Sequence, residues 1–274
     1  MQVKLAQNYG FCFGVKRAIK IAQDHKDSIT LGPLIHNAKE ISRLKRDFNV
    51  DTSETLENLQ KDRQLIVRTH GIPKNDLKKL QNQQFDIIDA TCPYVRKPQM
   101  IVEEMSKEGY DIIVFGDKEH PEVKGVVSYA ENGASVVANF EELQNLRLGK
   151  KITLISQTTK QPEVFAKIAG YLSAHCAEVR VFNTICNATF DNQSAADALS
   201  KEVDIMIIVG GKNSSNTKQL FTICKNNCAH SYLVEDESEL ERAWFEGKKV
   251  CGITAGASTP DWIIQKVQEK VLAY

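Results

Sequence analysis

The sequence lacks the short motifs that identify several large classes of protein. It contains no G-x-G-x-x-G fingerprint, no Walker phosphate loop and no closely spaced C-x3-C-x2-C triplet, so none of these local patterns assigns a function. It also lacks an excess of charge, because Lys+Arg and Asp+Glu number 35 each. A general nucleic-acid binder usually carries a basic excess, and we therefore expect no nucleic-acid partner.

Long apolar runs and targeting signals are also missing. The most apolar stretches, Ile205–Val209 and Ile112–Phe115, are far shorter than the roughly 20 residues of a membrane helix. Residues Met1 to Lys4 do not form a basic region followed by an apolar run, and no Gly-, Ser- or Pro-rich linker interrupts the chain. We therefore expect a soluble cytoplasmic protein without a membrane partner, whose lobes pack closely together.

Cysteine is scarce and its count is odd. Seven cysteines in 274 residues are too few for a disulfide scaffold, and a cytoplasmic location predicts that they are reduced. Any special role for them would then be metal binding or catalysis. The length alone, at about 150 residues per domain, suggests about two domains.

Short runs rich in Ile and Val recur along the chain and end in small or polar residues, which is typical of buried parallel strands. The runs are Ile29–Leu31, Leu65–Val67, Ile112–Phe115, Ile152–Ile155, Ile205–Val209 and Val250–Ile253. Helix-like patterns lie between them, as in Val15–Asp24, Pro98–Glu108 and Gln193–Lys201. This alternation predicts an α/β fold, in which ligands bind at the carboxyl ends of the strands.

Three cysteines, Cys12, Cys92 and Cys186, each stand at a turn before a predicted helix. Two polar strand-end loops follow each of them at similar distances along the chain. These loops contain His36 and His70 after Cys12, His120 and Thr158 after Cys92, and Ser214 and Ser258 after Cys186. The repetition predicts three related lobes around a pseudo-threefold axis, and coincidence among common strand-end residues is the alternative.

The same three cysteines are candidate metal ligands, because a helix N-terminus favours a thiolate. Three converging thiolates could hold a [4Fe–4S] cluster with one open iron, or a zinc ion with an open position. Cys176 and Cys251 are expected to be small core residues. Cys224 and Cys228 are four residues apart, but a structural zinc site would need further ligands beside them.

The polar loops carry the side chains of a phosphate cradle that needs no Walker lysine. The candidates are His36, His70, His120, Thr158, Ser214, Ser215, Asn216 and Ser258. Glu122 is a candidate proton donor, although a glutamate in such a loop is more often solvated. Ser258 or Thr259 could instead simply cap the last helix.

At these residues the chain resembles the 4-hydroxy-3-methylbut-2-enyl diphosphate reductase (LytB/IspH) family, from Gly10 to about Trp262. The motifs that carry the resemblance in combination are Phe11–Val15, Arg68–Gly71, Asp89–Pro93, His120–Val123 and Ala255–Ser258. The sequence departs from the family pattern around the third cysteine, where it has Asn183 and Asn187 and then Phe190-Asp191-Asn192-Gln193. Cys186 itself is retained, so the departure concerns the surroundings of the ligand.

The resemblance implies a trefoil of three small parallel-sheet α/β lobes around a central [4Fe–4S] cluster. The lobes would be residues 1–91, 92–185 and 186–274, with the N-terminal strand packing on the third lobe. Cys12, Cys92 and Cys186 match the ligands of the cluster, which leaves one iron open. Residues that match the family's diphosphate and hydroxyl contacts are His36, His70, His120, Thr158, Ser214, Ser215, Asn216 and Ser258.

The implied reaction is the reductive dehydroxylation of (E)-4-hydroxy-3-methylbut-2-enyl diphosphate to isopentenyl and dimethylallyl diphosphate, the last step of the non-mevalonate isoprenoid pathway. Glu122, Thr158 and His120 would be its catalytic residues, and reduced ferredoxin or flavodoxin would supply the electrons. Two other classes remain open. One is a non-redox lyase or hydratase that uses the same open iron, and the other is a non-enzymatic iron–sulfur sensor or cluster carrier.

Overall fold

The computed structural model describes residues 1–59 and 61–274. Within them the chain forms twelve strands and ten α-helices. The strands are β1 (Gln2–Leu5), β2 (Ile29–Leu31), β3 (Asp51–Ser53), β4 (Leu65–Val67), β5 (Ile87–Asp89), β6 (Asp111–Phe115), β7 (Ala134–Val137), β8 (Lys151–Ser156), β9 (Glu178–Val181), β10 (Ile205–Val209), β11 (Ser231–Val234) and β12 (Val250–Ala255). The helices are α1 (Phe13–Asp24), α2 (Ala38–Phe48), α3 (Lys74–Asn82), α4 (Pro93–Lys107), α5 (Pro121–Val127), α6 (Phe140–Gln144), α7 (Pro162–His175), α8 (Asn187–Ser200), α9 (Ser215–Asn227) and α10 (Asp261–Leu272).

The strands form three parallel four-stranded sheets that share one strand order. The first sheet runs β3-β2-β4-β5, the second β7-β6-β8-β9 and the third β11-β10-β12-β1. In the first two sheets the chain winds outward in one direction from the first strand of the sheet and in the other direction from the third, and in the third sheet the N-terminal strand β1 takes the outer place beside β12. This produces a topological switch point between the two central strands, which is where open α/β sheets bind ligands. The prediction of three small parallel-sheet α/β lobes is confirmed.

The six apolar runs of the sequence are the six central strands of these sheets. β2, β4 and β10 are buried at every position, and β6, β8 and β12 at all but their first. The six outer strands are partly exposed: β1 and β9 alternate between polar and apolar residues, β3 contains no apolar residue, and β5, β7 and β11 contain two or three consecutive apolar residues. The strands that are buried at nearly every position are therefore those with neighbours on both sides.

Three helices begin directly after the three cysteines of the repeat. Cys12 precedes α1, Cys92 is the N-cap of α4, and Cys186 precedes α8. The helical patterns in the sequence start two, five and six residues later than these helices, because Phe, Pro and Asn at the helix starts give no apolar periodicity. The position of each cysteine at a helix N-terminus is confirmed.

The helices after Cys92 and Cys186 cross from one sheet to the next. Strand β5, which precedes Cys92, belongs to the first sheet, but α4 packs its Ile101 and Val102 against Ile112 and Val114 of the second. In the same way, α8 follows β9 of the second sheet and packs its Ala196 and Leu199 on the third. The connection between successive sheets therefore passes through a cysteine each time.

The chain divides into two compact units. Unit one contains Met1–Lys16, Ile35–Asp47 and Asn187–Tyr274, with the third sheet; unit two contains Arg17–Leu34 and Phe48–Cys186, with the first and second sheets. The two boundaries between the three predicted lobes, at residues 91/92 and 185/186, remain a prediction. Among the residues that the structure describes, no helix is both long enough and apolar enough to cross a membrane.

Candidate active site

Most of the predicted site residues follow the carboxyl ends of central strands. In unit two, Arg68–Gly71 follows β4, His120 lies beyond β6, and Thr158 follows β8. In unit one, Ser214 lies beyond β10 and Ser258 beyond β12. These loops flank the switch points of the sheets, where backbone N–H groups and short polar side chains are available to a ligand.

A buried carboxyl group joins two of these loops in unit two. Oε1 of Glu122 accepts a hydrogen bond from the backbone N–H of Thr158 at 2.7 Å, and Oε2 accepts one from the Thr158 hydroxyl at 2.7 Å. Glu122 is only 3% exposed, so it is not the solvated glutamate of the alternative interpretation. Burial raises the pKa of the Glu122 carboxyl above its ordinary value, although the two hydrogen bonds from Thr158 oppose that shift.

The start of α5 favours one tautomer of His120. This histidine is the N-cap of α5, and its Nδ1 accepts a hydrogen bond from the backbone N–H of Glu122 at 3.2 Å. Because Nδ1 is an acceptor, the proton of the neutral ring lies on Nε2, which is then a donor. The ring of His70 meets it edge to face, with 5.5 Å between the centroids. Two imidazoles of adjacent loops thus lie together in unit two.

The backbone of each candidate ligand cysteine is hydrogen-bonded to a polar loop in the same way. The N–H of Cys12 donates to the carbonyl of Ala257 at 3.2 Å. The N–H of Cys92 donates to Thr69 at 3.0 Å, and that of Cys186 donates to Thr158 at 2.9 Å. Each acceptor is itself a candidate residue or the neighbour of one. The repeat inferred from spacing is thus present as three equivalent hydrogen bonds.

The thiols of these three cysteines differ in environment from most of the others. Cys12, Cys92 and Cys186 are partly exposed at helix N-termini. Cys224 and Cys251 lie in apolar cores, and burial raises the pKa of each thiol to about 12. Three accessible thiols at the positive ends of helices are a donor set that fits an iron–sulfur cluster.

The remaining cysteines are packing residues. Cys224 and Cys228 are buried in one apolar cluster with Ala196 and Leu220, and their thiols lie near backbone carbonyls. His230, which follows them in sequence, is exposed. Cys176 ends α7, and burial raises the pKa of its thiol. Nothing in these surroundings favours a zinc site at Cys224 and Cys228.

In unit one, the His36 loop is held against the loops that follow β10 and β12. The Ser258 hydroxyl donates to the His36 carbonyl at 3.2 Å. A Cβ on Gly211 would come within 2.5 Å of the same carbonyl oxygen, so only glycine permits this approach. The side chain of Asn37 then caps α2 by accepting from the N–H of Glu40 at 3.0 Å.

The N-terminus of α9 presents Ser214, Ser215 and Asn216. Ser214 is the N-cap and accepts from the N–H of Thr217 at 3.3 Å, and Ser215 is the first helical residue. Asn216 is 5% exposed, and neither its Oδ1 nor its Nδ2 has a hydrogen-bond partner among the described residues. A buried amide without partners is costly unless a polar ligand satisfies it. A helix N-terminus favours an anion as that ligand.

The capping alternative for the last helix is wrong. α10 has Pro260 as its N-cap, without a side-chain hydrogen bond. The hydroxyls of Ser258 and Thr259 donate instead to the carbonyls of His36 and Val209. Both hydroxyls therefore fix loops at the strand ends.

Sequence reasoning did not identify the residues whose hydrogen bonds hold the elements next to the site residues in place. Trp262 Nε1 donates to the carboxylate of Glu40 at 3.0 Å, and Arg43 binds the same carboxylate through two nitrogens. This links α10 to the helix that follows His36. The partners are 222 residues apart, and no local pattern marks them. In unit two, the Thr69 hydroxyl donates to the Leu34 carbonyl at 2.9 Å.

Comparison with known proteins extends these observations over the whole chain. The sequence model of the family described as LytB protein matches residues 3–272. The chain belongs to the LytB family. A curated relative of this LytB-family chain, 4-hydroxy-3-methylbut-2-enyl diphosphate reductase of Helicobacter hepaticus, is 62% identical over 271 residues and covers 99% of both chains.

Two solved structures resemble the LytB-family chain. One is (E)-4-hydroxy-3-methyl-but-2-enyl diphosphate reductase, described as the terminal enzyme of the non-mevalonate pathway, with 40% identity, full coverage of both chains and a TM-score of 0.72. The other is the E-1-hydroxy-2-methyl-but-2-enyl-4-diphosphate reductase of Plasmodium falciparum. It has 28% identity and a TM-score of 0.91, with coverage of 99% of this chain and 87% of the other.

Proposed function

We propose that this chain is a 4-hydroxy-3-methylbut-2-enyl diphosphate reductase that catalyses the last step of the non-mevalonate isoprenoid pathway. The substrate, (E)-4-hydroxy-3-methylbut-2-enyl diphosphate, takes up two electrons and two protons and gives water with isopentenyl or dimethylallyl diphosphate. Full-length similarity to enzymes of that name supports the assignment. The observation that carries it is the buried Glu122–Thr158 pair, hydrogen-bonded through Thr158 to the backbone of Cys186.

Cys12, Cys92 and Cys186 would hold a [4Fe–4S] cluster through their thiolates. Each lies at or next to a helix N-terminus, and each has its backbone fixed by a strand-end loop. When bound, the cluster would supply electrons one at a time and an iron with an open coordination position. The protein's own residues bind and orient the substrate and move its protons.

The diphosphate would be bound by neutral donors and helix ends. His70 and His120 would contribute imidazole groups, and the Nε2–H of His120 is directed by the bond at Nδ1. His36, Ser258 and the start of α9 with Ser214, Ser215 and Asn216 are the other proposed contacts. The unpartnered amide of Asn216 gains its hydrogen bonds when the diphosphate binds. Binding in this way fixes the position of the reacting carbon.

Glu122 would be the proton donor. Because burial raises the pKa of its carboxyl, the group retains its proton at a higher pH than an exposed glutamate does. Thr158 fixes the position of both carboxyl oxygens, and its hydroxyl is the natural contact for the allylic hydroxyl of the substrate. The first proton goes to that departing oxygen, which leaves as water. The second goes to one end or the other of the allyl group and decides the product.

An anaerobic purification and assay tests this function. The protein should contain near-stoichiometric iron and sulfide, and it should convert the diphosphate substrate to both products with reduced methyl viologen. Turnover without a reductant would indicate a lyase or hydratase instead. A loaded protein that neither binds nor converts the substrate would indicate a cluster carrier or sensor. The physiological donor is proposed to be reduced ferredoxin or flavodoxin.

A further inference from the structure

Two arginines from different helices meet on the short segment that precedes Cys92. The guanidinium group of Arg17, on α1, donates to the carbonyl oxygens of Asp89 at 3.2 Å and Thr91 at 3.4 Å. Arg96, in the first turn of α4, binds the carboxylate of the same Asp89. The hydrogen bonds bring the basic side chains of α1 and α4 together beside a proposed cluster ligand, within unit two.

Exposed apolar side chains accompany these charges. Tyr94, two residues after Cys92, is 45% exposed, and Met100 on the same helix is 63% exposed. Lys97 lies between them at intervals of three residues, so all three share one face of α4. Large exposed apolar side chains that are ringed by charge are typical of surfaces that bind another protein.

The charge of this surface is one-sided, although the whole chain is neutral. Arg17, Lys20, Arg96 and Lys97 contribute four positive charges, and Asp89, which Arg96 binds, contributes one negative charge; Glu103, one turn after Met100, pairs with Lys74 and Lys107. The next exposed carboxylates along the two helices, Asp24 and Glu104, come one turn after Lys20 and Met100. The positive charge is therefore concentrated around the N-terminus of α4.

We propose that this surface, formed by Arg17, Lys20, Tyr94, Arg96, Lys97 and Met100, docks a small acidic protein that carries one electron. The proposal rests on the proposed function, whose reaction consumes two electrons for each substrate. In each encounter the carrier loses one electron, which the group held by the cysteines gains, so two encounters serve one turnover. A charged patch suits such short-lived redox complexes, because they have small interfaces and rely on electrostatic attraction for rapid association.

The location explains why this patch, rather than another, would receive the carrier. Its residues surround the backbone immediately before Cys92 and the first two turns of the helix that Cys92 caps. Tyr94 and Met100 would supply apolar contact, and the lysines and arginines would supply electrostatic attraction. A nucleic acid or another polyanion would be attracted by the same charges, and the experiment must separate these occupants.

The test uses the anaerobically purified holoenzyme and an acidic flavodoxin. In the double variant Lys20→Glu/Lys97→Glu, the Kd for oxidised flavodoxin should rise at least about tenfold at low ionic strength, and its dependence on salt should become shallower. The KM for reduced flavodoxin should rise in parallel. The control is Lys78→Glu/Lys150→Glu, which makes the same change of charge at two exposed positions elsewhere and should leave both values unchanged.

Three further measurements distinguish the possible failures. Turnover with reduced methyl viologen and the iron content should be unchanged in both double variants. If the unmodified protein showed no turnover with reduced methyl viologen, that result would refute the proposed function rather than the docking surface. Tyr94→Ala should weaken flavodoxin binding at high salt as well as low salt, because its contact is apolar. The proposal would be overturned if both double variants weakened flavodoxin binding equally or if neither weakened it. It would also be overturned if heparin bound the patch as tightly as flavodoxin does.

Discussion

Glu122 and Thr158 are joined by two hydrogen bonds of 2.7 Å, and these occupy both oxygens of the carboxyl group. The same threonine accepts the N–H of Cys186 with its carbonyl. A proton donor, a hydroxyl group and the backbone of a proposed cluster ligand are therefore consecutive links of one hydrogen-bonded chain. Displacement of any of the three residues would move the others.

Replacement of Glu122 by Gln should greatly reduce turnover, because the amide keeps the shape of the group but cannot deliver a proton. We expect a fall of about 10²–10⁴-fold in kcat with reduced methyl viologen, while the iron content and visible absorption stay unchanged. Glu119→Gln is the matched control, since Glu119 lies in the same loop but is exposed and pairs with Lys124. Unchanged turnover in the Glu122 variant would exclude it as the proton donor.

The raised pKa of Glu122 predicts how activity depends on pH. The protonated form is the acid, so kcat/KM should fall as the pH rises through the raised pKa of the carboxyl group. A pH profile of kcat/KM measured with reduced methyl viologen checks this. The fall at alkaline pH, here called the alkaline limb, should be absent from the residual activity of Glu122→Gln. An alkaline limb that is identical in both proteins would belong to another group.

The same shift predicts how stability depends on pH. The ordinary pKa of the group is 4.5, and burial raises it in the folded state. Between these two values the folded protein binds more protons at this site than the unfolded chain, so the contribution to stability is full below pH 4.5 and is lost as the pH rises through the folded pKa. Denaturant unfolding measured over this pH interval should show that the free energy of unfolding falls more steeply with rising pH in the unmodified protein than in Glu122→Gln. Parallel curves would contradict the assignment.

Most of the fold follows from the sequence, and the part that does not has a physical reason. Continuous apolar runs reveal β2, β4, β6, β8, β10 and β12, because a central strand is buried on both faces. A strand such as β3, with the sequence Asp-Thr-Ser, contains no apolar residue at all. It is formed by pairing with β2, and pairing is a tertiary interaction that leaves no local pattern.

The candidate site, like the fold, could be predicted from the sequence in part. Similar local contexts and similar spacing to the polar loops grouped Cys12, Cys92 and Cys186, and their equivalent backbone hydrogen bonds agree with that grouping. The roles of these residues as ligands remain a prediction. The partners of Glu122 could not be read from the sequence, because Thr158 is 36 residues away on another strand end. Likewise, nothing in the sequence signals the burial that shifts the pKa of Glu122.

Two substitutions of Thr158 separate the contribution of its hydroxyl group to activity from the contribution of its shape. Thr158→Val removes the hydrogen bond to Oε2 of Glu122, and Thr158→Ser keeps it. A hydrogen bond between neutral groups contributes about 0.5–1.5 kcal/mol, so we expect the valine variant to lose roughly 2- to 10-fold in kcat/KM and the serine variant less. Because that bond lowers the pKa of Glu122, the alkaline limb of the valine variant should also move to higher pH. Equal losses in both variants would indicate a packing effect only.

The cysteine assignment predicts a difference in iron content. Cys12→Ser, Cys92→Ser and Cys186→Ser should each lose the intact cluster, measured as iron and sulfide per chain and as visible absorption after anaerobic purification. Cys176→Ser is the control, since Cys176 is also only partly buried but packs against the apolar cluster that contains Ile168 and Leu172 at the end of α7. Retention of stoichiometric iron in one of the three variants would remove that residue from the set of ligands.

A substitution of Gly211 tests whether the close approach of the His36 loop to Gly211 matters for substrate binding. The Cβ of an alanine would lie 2.5 Å from the His36 carbonyl oxygen, so the loop must move away, at a cost of about 1–3 kcal/mol in stability. We expect Gly211→Ala to raise the KM for the diphosphate substrate by about tenfold or more, with unchanged iron content. Gly170→Ala is the control, because no atom lies within 4 Å of the new methyl group in α7, and it should stabilise the protein by up to about 1 kcal/mol. A normal KM in a destabilised Gly211→Ala protein would show that the contact serves folding and that the position of His36 tolerates the displacement.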